Sequence, residues 1–316
     1  MTQQHADAFL QFLAAEQRLS PNTLAAYRND LRQFEEYLRS RAVDPFGDDR
    51  DDRGAATASR EAVAGFFLSL REDKGYSAAT IARKMAAVKA LFQYLVKQGM
   101  IAVNPAADLG APEVKKPLPK AITVDEVDRL IRQTDRKSSP EGLRDRAMLH
   151  LLYATGVRVT ELVSLDTGDL DLDANTVRCV GRGARVRHLP IEARAVAALR
   201  DYLERGRPLL LRPGFPQSAL FLNHRGQRLT RQGFWLIMKA VARDSGVSSA
   251  VTPHTLRHSF AAHRLSDGLG LPRLRELLGH ANISTTQVYA QIKGEGPRTL
   301  VADARRLALA GTPGRN

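Results

Sequence analysis

Residues 252–289 read TPHTLRHSFAAHRLSDGLGLPRLRELLGHANISTTQVY, and they carry the most informative pattern in the chain. His254 and Arg257 are one helical turn apart, so both can face the same anion. His280 follows a glycine, which can take the backbone angles of a helix C-cap, and Tyr289 lies nine residues further on. The stretch predicts helices that present two histidines, an arginine and a tyrosine to one site.

A second arginine stands far upstream, in residues 155–162, which read TGVRVTEL. Arg158 is predicted near a helix start, where free backbone N–H groups and the helix dipole favour an anion. Glu161, three residues later, can hold Arg158 or a histidine in place. Taken alone, the two residues are also compatible with a surface ion pair worth about 0.2–0.5 kcal/mol.

These residues together suit attack on a phosphodiester. Guanidinium groups can each hold two phosphate oxygens, and histidines can orient a phosphate or move protons near neutral pH. A tyrosine can attack phosphorus and form a covalent intermediate. The set requires no metal ion and no cofactor, and it favours DNA that is cut and rejoined through a phosphotyrosine.

A zinc site is the competing interpretation of the histidines. His254 and His258 have the i,i+4 spacing of paired zinc ligands, and His263 lies on the same predicted helix. However, Thr255 stands where the glutamate of a His-Glu-x-x-His motif is required, and the cationic Arg257 between the ligands would oppose a divalent ion. We therefore expect no metal, and we interpret His258 and His263 as structural or DNA-facing residues.

Composition agrees with a double-stranded DNA partner. The 316 residues carry a formal net charge of +13 and a sequence pI of about 10.2, as expected of a protein that neutralises a phosphate backbone. The lone Cys179 excludes an internal disulfide and fits a reducing cytosol. No signal-peptide pattern and no membrane-spanning apolar run is evident, so we expect a cytoplasmic protein that does not bind membranes.

The pattern predicts three regions. Residues 1–108 read as a helical DNA-binding domain, which the periodicity predicts to have four helices, with a polar insertion at 44–58. Residues 109–121 are predicted to form a basic, proline-rich linker. Its lysines Lys115, Lys116 and Lys120 are suited to contact a phosphate backbone, although an ordinary interdomain linker has the same composition. Residues 122–316 are predicted to form the catalytic domain with a C-terminal tail helix.

The predicted catalytic domain is mostly helical with a small antiparallel sheet. It opens with a capping box at Thr123–Glu126. Its other predicted elements are helices at about 142–154, 159–165 and 192–205, strands at 176–180, 185–190 and 219–222, and helices from Arg231 onward.

Three segments of this chain resemble the tyrosine recombinase (phage integrase) family, of the XerC/XerD type. They are residues 154–162, residues 252–260 and residues 278–289. The resemblance extends over nearly the whole chain. It implies a mainly α fold, in which a four-helix, SAM-like core-binding domain precedes a mixed α+β catalytic domain.

The resemblance also implies a role for each site residue. Tyr289 is expected to attack the scissile phosphate, which leaves a 3′-phosphotyrosyl link and a free 5′-hydroxyl. Arg158 and Arg257 are expected to clamp the phosphate together with His280, while His254 assists proton transfer. Members of the family join four protomers on two duplexes. Xer-type members resolve chromosome dimers, with a second recombinase and a septal DNA translocase as possible partners.

One position departs from the family pattern. The family hairpin carries a lysine that protonates the leaving 5′-oxygen, whereas this chain has Arg182 there, and Arg185 as a further DNA-binding candidate. Arginine keeps the positive charge but is a poor proton donor, because its pKa lies above about 12. We expect Arg182 to stabilise developing charge, with slower cleavage as the result.

Several alternatives remain open at this point. The same chemistry fits an integrase or resolvase of a mobile element, or a type IB topoisomerase-like enzyme. A DNA-binding protein with a decayed active site is a further alternative, which Arg182 alone supports. The tail helix, predicted at 298–310, could dock on a neighbouring protomer or on its own domain.

Overall fold

The computed structural model describes residues 3–17, 19–41, 60–114, 121–212, 218–248 and 251–280, together with Thr286 and Tyr289. The chain divides into two compact units, Met1–Lys116 and Pro117–Asn316. The predicted insertion at 44–58, the linker lysines and the tail helix lie outside the described residues. None of the helices that the structure describes is both long enough and apolar enough to cross a membrane.

The N-terminal unit is helical, as the sequence predicts. Ser20 and Ser77 cap two of its helices by accepting a hydrogen bond from the backbone N–H three residues later, which satisfies a donor that the helix itself leaves free. Aromatic side chains, including Phe34, Phe66 and Phe92, fill the core between the helices. The helices are α1 (Gln3–Ala15), α2 (Pro21–Ser40), α3 (Arg60–Glu72) and α4 (Ala78–Lys97).

A buried ion pair ties α2 to α4 inside this unit. Lys84 Nζ lies 2.9 Å from Asp30 Oδ1 and donates a second hydrogen bond to Gln33 Oε1 at 2.8 Å. The two charged side chains are 2% and 0% exposed. Buried charges are tolerated only when they are paired, so this contact fixes how the two helices face each other.

The C-terminal unit is also mainly helical. Its first helix begins with the predicted capping box at Thr123 and Glu126, and two later helices are joined by a π-helical turn at Tyr202–Gly206. The helices are α5 (Val124–Asp135), α6 (Pro140–Thr155), α7 (Val159–Ser164), α8 (Ala193–Asp201), α9 (Arg207–Leu210), α10 (Arg231–Asp244), α11 (Pro253–Ser266) and α12 (Leu271–Leu278).

One antiparallel sheet accompanies these helices, in the order β1 (Leu170–Asp171), β2 (Thr176–Val180) and β3 (Val186–Pro190). Val177 pairs with Leu189, and both are buried. The β2–β3 hairpin was predicted, and the two-residue β1 was not. A strand this short carries no alternation of apolar and polar residues that a sequence pattern could reveal.

The predicted strand at 219–222 is wrong. Only Ala219 and Leu222 form bridges, each an isolated one, to Asp166 and Arg228 respectively. Side chains satisfy much of this segment's backbone instead: the Tyr202 hydroxyl donates to Leu220 O and accepts from Leu222 N. Arg144 and Arg207 donate to the carbonyls at its two ends. Apolar composition alone does not distinguish such a segment from a sheet strand.

Candidate active site

The corner between α6 and α7 sets the position of Arg158. Gly156 ends α6 in the left-handed conformation, with φ of 61°, which glycine adopts without steric cost. A Cβ on Gly156 would also overlap the ring of Phe260. The chain turns there and places Arg158 at the N-cap of α7.

Glu161 connects two arginines. Its Oε1 accepts a hydrogen bond from Arg158 Nη1 at 3.0 Å, and its Oε2 accepts from the Arg158 backbone N–H at 2.8 Å. Oε2 also accepts from Arg187 Nη2 at 2.9 Å. The carboxylate side chain is 5% exposed, so it is a buried anion held by two cations, and it fixes the orientation of Arg158.

Arg187 is a member of the site that the sequence interpretation missed. It lies on β3 with a side chain that is 9% exposed, and its guanidinium occupies the space that a Cβ on Gly279 would need. Its Nε has no hydrogen-bond partner among the described residues. A signal was present, because Arg187 and the buried Leu189 are two residues apart and so share one face of the strand.

Arg257 is the most buried of the predicted clamp residues. Its Nη1 donates to the Gly156 carbonyl, its Nη2 donates to Leu278 O at 2.7 Å, and the same Nη2 lies 3.1 Å from His280 Nε2. Burial, and then the neighbouring charge of Arg158, lower the pKa of Arg257 to about 10. The guanidinium therefore stays cationic at neutral pH.

His280 follows the left-handed C-cap Gly279 of α12 and has both ring nitrogens engaged. Burial, and then the charges of Arg257 and Arg158, lower the pKa of His280 to about 4, so the ring is neutral at neutral pH. Because Arg257 can only donate, Nε2 must accept, and Nδ1–H then donates to Thr286 Oγ1 at 3.0 Å. The tautomer of His280 follows from these two partners.

Tyr289 lies in a small apolar cluster with its hydroxyl against a histidine. Its side chain packs with Phe260 and Leu278, and the residue is 3% exposed. The hydroxyl oxygen is 2.6 Å from His258 Nδ1, and the ring is stacked at 8° to that of His280. Burial raises the pKa of Tyr289, and the charges of Arg257 and Arg158 oppose part of that rise.

His254 occupies the rim of the site. It is exposed, and it borders a cavity of about 460 Å³ that Arg231 and Trp235 also line. Partial burial, and then the charge of Arg257, lower the pKa of His254. Its ring centroid is 6.5 Å from that of His258, one helical turn along α11.

The structure thus brings Arg158, Glu161, Arg257, His280 and Tyr289 into one site. The outcome differs among the remaining predicted residues. Arg182 lies in the turn at Arg182–Ala184 between β2 and β3, but its side chain is outside the described part of the chain. Arg185 is exposed in the same turn. Lys115, Lys116 and Lys120 lie outside the described residues. Within the ranges that the structure covers, no cluster of three or more potential metal ligands occurs.

Comparison with known proteins gives consistent matches. Residues 120–295 match the model of the phage integrase family, and residues 6–99 match that of the phage integrase N-terminal SAM-like domain. The chain is 47% identical over 297 residues to tyrosine recombinase XerC of Roseiflexus castenholzii, which covers 94% of this chain and 91% of that protein. It is 43% identical over 286 residues to tyrosine recombinase XerD of Listeria monocytogenes, covering 90% of this chain and 92% of the other.

Among solved structures, the fold is similar to that of the XerH site-specific recombinase bound to a palindromic difH substrate, in a post-cleavage complex. The TM-score is 0.71 at 21% sequence identity, and the match covers 95% of this chain and 83% of the other. At this identity the likeness concerns the fold alone. The mainly α architecture with a SAM-like domain and a small sheet, as predicted from the sequence, is confirmed.

Proposed function

The chain belongs to the phage integrase family of tyrosine recombinases, and from that premise we propose that Tyr289 is the nucleophile that attacks the scissile phosphate. The protein is a site-specific DNA recombinase. The observation that carries the proposal is the convergence of Arg158, Arg257, His280 and Tyr289 from three separated segments of the chain. Attack of the phenolic oxygen conserves the phosphodiester energy in a 3′-phosphotyrosyl bond, so rejoining needs no external energy source.

Arg158 and Arg257 stabilise the charge that builds on phosphorus. Arg158, Arg187 and Arg257 supply three positive charges, and Glu161 supplies one negative charge. The surplus of positive charge in a largely buried site matches a phosphorane that carries more negative charge than the starting diester. Donors that are already oriented need little reorganisation when the transition state forms, and this is the source of their catalytic value.

The histidines have different tasks in this proposal. His280 accepts a hydrogen bond from Arg257 and so keeps that guanidinium in position, with its other nitrogen held by Thr286. His254 is at the rim, where it can reach the DNA backbone and assist proton transfer. Arg182 stands at the position of the general acid and stabilises charge on the leaving oxygen without readily giving up a proton.

The DNA-binding part of the proposal concerns residues along the path of the duplex. The exposed Arg185 and the linker residues Lys115, Lys116 and Lys120 contact phosphates, which fixes position on the duplex without reading its sequence. Four protomers assemble on two recombination sites, as the same chain alone or with a second recombinase. We further propose that the cytoplasmic enzyme resolves chromosome dimers, under control of a septal DNA translocase.

Nicked duplexes test the proposal directly. A nick next to the cleavage position lets a short fragment diffuse away, so that a covalent protein–DNA complex accumulates. Duplexes that carry candidate sites from the protein's own chromosome should give such a complex with the wild type and none with Tyr289→Phe. If no duplex gives an adduct while the protein still binds DNA, the proposed nucleophile is wrong.

A further inference from the structure

The hydroxyl of Tyr289 has one imidazole partner among the described residues, and that partner is His258. The distance from Tyr289 Oη to His258 Nδ1 is 2.6 Å, and the ring centroids are 5.4 Å apart. This is the separation from which a proton can pass between two heteroatoms. His258 directly follows Arg257, so the helix that carries the buried guanidinium also carries this contact.

The other two histidines of the site have other partners or another position. His280 is parallel to the Tyr289 ring, but its Nε2 accepts from Arg257 and its Nδ1 faces Thr286 Oγ1. His254 is on the rim, one turn away from His258. Of the three imidazoles, His258 is therefore the one placed to accept a proton from the nucleophile.

We propose that His258 is a further catalytic residue, the general base that removes the phenolic proton of Tyr289 during strand cleavage; this rests on the proposed role of Tyr289 as nucleophile. To accept that proton, Nδ1 must be unprotonated, so in this role the neutral ring carries its own proton on Nε2. The sequence led us to interpret His258 as a structural or DNA-facing residue, whereas in the structure it contacts the oxygen that is proposed to react.

The surroundings keep His258 ready to accept a proton. The groups that face it are His254 and Arg257 on its own helix, and His280 and Tyr289 from the chain beyond α12. Partial burial, and then the neighbouring His254 and Arg257, lower the pKa of His258. The ring is thus unprotonated at neutral pH, while burial of Tyr289 makes spontaneous ionisation of the phenol less favourable.

The Tyr289 oxygen forms a bond to phosphorus, its proton moves to His258 Nδ1, and the bond from phosphorus to the 5′-oxygen breaks. The departing 5′-oxygen takes a proton from a water molecule. In rejoining, the 5′-hydroxyl attacks the phosphotyrosine, its proton goes to solvent, and the protonated His258 returns a proton to the phenolate as it leaves.

Two variants of α11 test the role of His258. His258→Asn places an amide oxygen near the position of Nδ1, so it can accept a hydrogen bond but not hold a proton at neutral pH. His263→Asn is the matched control. His263 lies on α11 like His258, and its Nδ1 contacts the hydroxyl of Tyr153 on α6 at 2.8 Å, so it contacts a tyrosine other than the proposed nucleophile. The measured quantity is the rate of covalent-complex formation on a nicked duplex, from pH 5.5 to pH 9.

We expect His258→Asn to cleave about 10²–10⁴-fold more slowly than the wild type at pH 7, the range typical for loss of a general base. The deficit should shrink as the pH rises, because hydroxide replaces the missing base. The wild-type rate should fall at acidic pH as His258 becomes protonated, and this inflection should be absent from the variant. His263→Asn should follow the wild-type profile.

Cleavage by His258→Asn within about threefold of the wild type across the whole pH range would overturn the inference. A pH-independent deficit would overturn it too, because it would show a structural role. Duplex binding and thermal unfolding verify that the variant folds, and His258→Gln, equally unable to take the proton, replaces it if His258→Asn does not fold. If the wild type itself forms no adduct, the proposed function has failed, which is a different result.

Discussion

The guanidinium of Arg187 lies directly against the α-carbon of Gly279, at the point where α12 ends and His280 begins. Arg187, which has no part in the sequence interpretation of the site, therefore contacts the residue that directly precedes His280. Arg187 holds Glu161, Glu161 holds Arg158, and Arg158 donates to the Gly279 carbonyl at 2.9 Å. The contacts form a closed ring that includes Arg158, one of the two proposed phosphate-binding arginines.

Gly279→Ala should displace Arg187 and break this ring. Gly279 has φ of 62°, so alanine is strained there by about 1–3 kcal/mol before any clash is considered. The overlap with Arg187 adds to that strain, so we expect a larger loss of stability together with slow cleavage of nicked duplexes. Thermal unfolding and covalent-complex formation measure the two effects.

Gly246→Ala is the matched control for that variant. Gly246 has φ of 66°, and an added Cβ would meet no heavy atom within 4 Å. It therefore reports backbone strain without a clash. Equal effects of the two substitutions on stability and on cleavage would contradict the role given to the contact between Gly279 and Arg187.

Glu161→Ala should leave two arginines without their shared anion. The Glu161 and Arg187 side chains are 5% and 9% exposed, and removal of one partner from a buried pair costs about 3–5 kcal/mol. Denaturant unfolding of the C-terminal unit measures this loss. The control is Glu276→Ala in the same unit, which removes the partner of Arg273 from a pair whose side chains are 56% and 60% exposed; we expect about 1 kcal/mol or less there. Comparable losses at both positions would argue against a buried anion at Glu161.

His280 should make stability depend on pH. Its pKa is about 4 in the folded protein against 6.5 for the free side chain, so between these values the unfolded chain binds a proton that the folded chain does not. Stability should therefore fall as the pH is lowered from about 6.5 toward about 4. His280→Gln removes this contribution, and its loss of stability between pH 7 and pH 5 should be smaller than that of the wild type. The other histidines are common to both proteins, so parallel curves would show that His280 is not held neutral.

Arg182→Lys should speed cleavage of an ordinary phosphodiester, because lysine can protonate the leaving 5′-oxygen. General acid catalysis contributes about 10²–10⁴-fold, and we expect a gain toward the lower end of this range. A substrate with sulfur at the 5′-bridging position serves as the control, since its leaving thiolate needs no acid. The same effect on both substrates would reject a proton-transfer deficit at Arg182.

The sequence predicted those parts of the candidate site that depend on short sequence patterns. It did not predict those that depend on contacts between residues far apart in the chain. Residue types and spacing predicted that Arg158, Arg257, His280 and Tyr289 act together, because each belongs to a short, recognisable sequence pattern. The contacts of Arg187 and His258 were not predicted, since their partners, Glu161 and Tyr289, are 26 and 31 residues away along the chain. Pairing across such separations depends on how the helices pack, and no local pattern records it.

The fold, too, was predictable where the signal is local, and the prediction was wrong where distant residues decide the structure. The N-terminal ends of helices such as α2 and α5 can be predicted from the sequence, because a capping residue marks each of them. The segment at 219–222 resembles a strand because its apolar residues are buried, but half of its backbone groups are hydrogen-bonded to the side chains of Tyr202, Arg144 and Arg207. Those donors come from other parts of the chain, so composition alone gave the wrong element.

One turn of α11 touches the Gly156 corner twice. Arg257 donates to the Gly156 carbonyl, and Phe260, three residues on, fills the space beside its α-carbon. These two contacts fix the position of α11 relative to the turn at Gly156. Insertion or deletion of a residue between Gly156 and Arg158 would shift Arg158 relative to Arg257. Insertions and deletions among homologues should therefore occur away from the turn at Gly156.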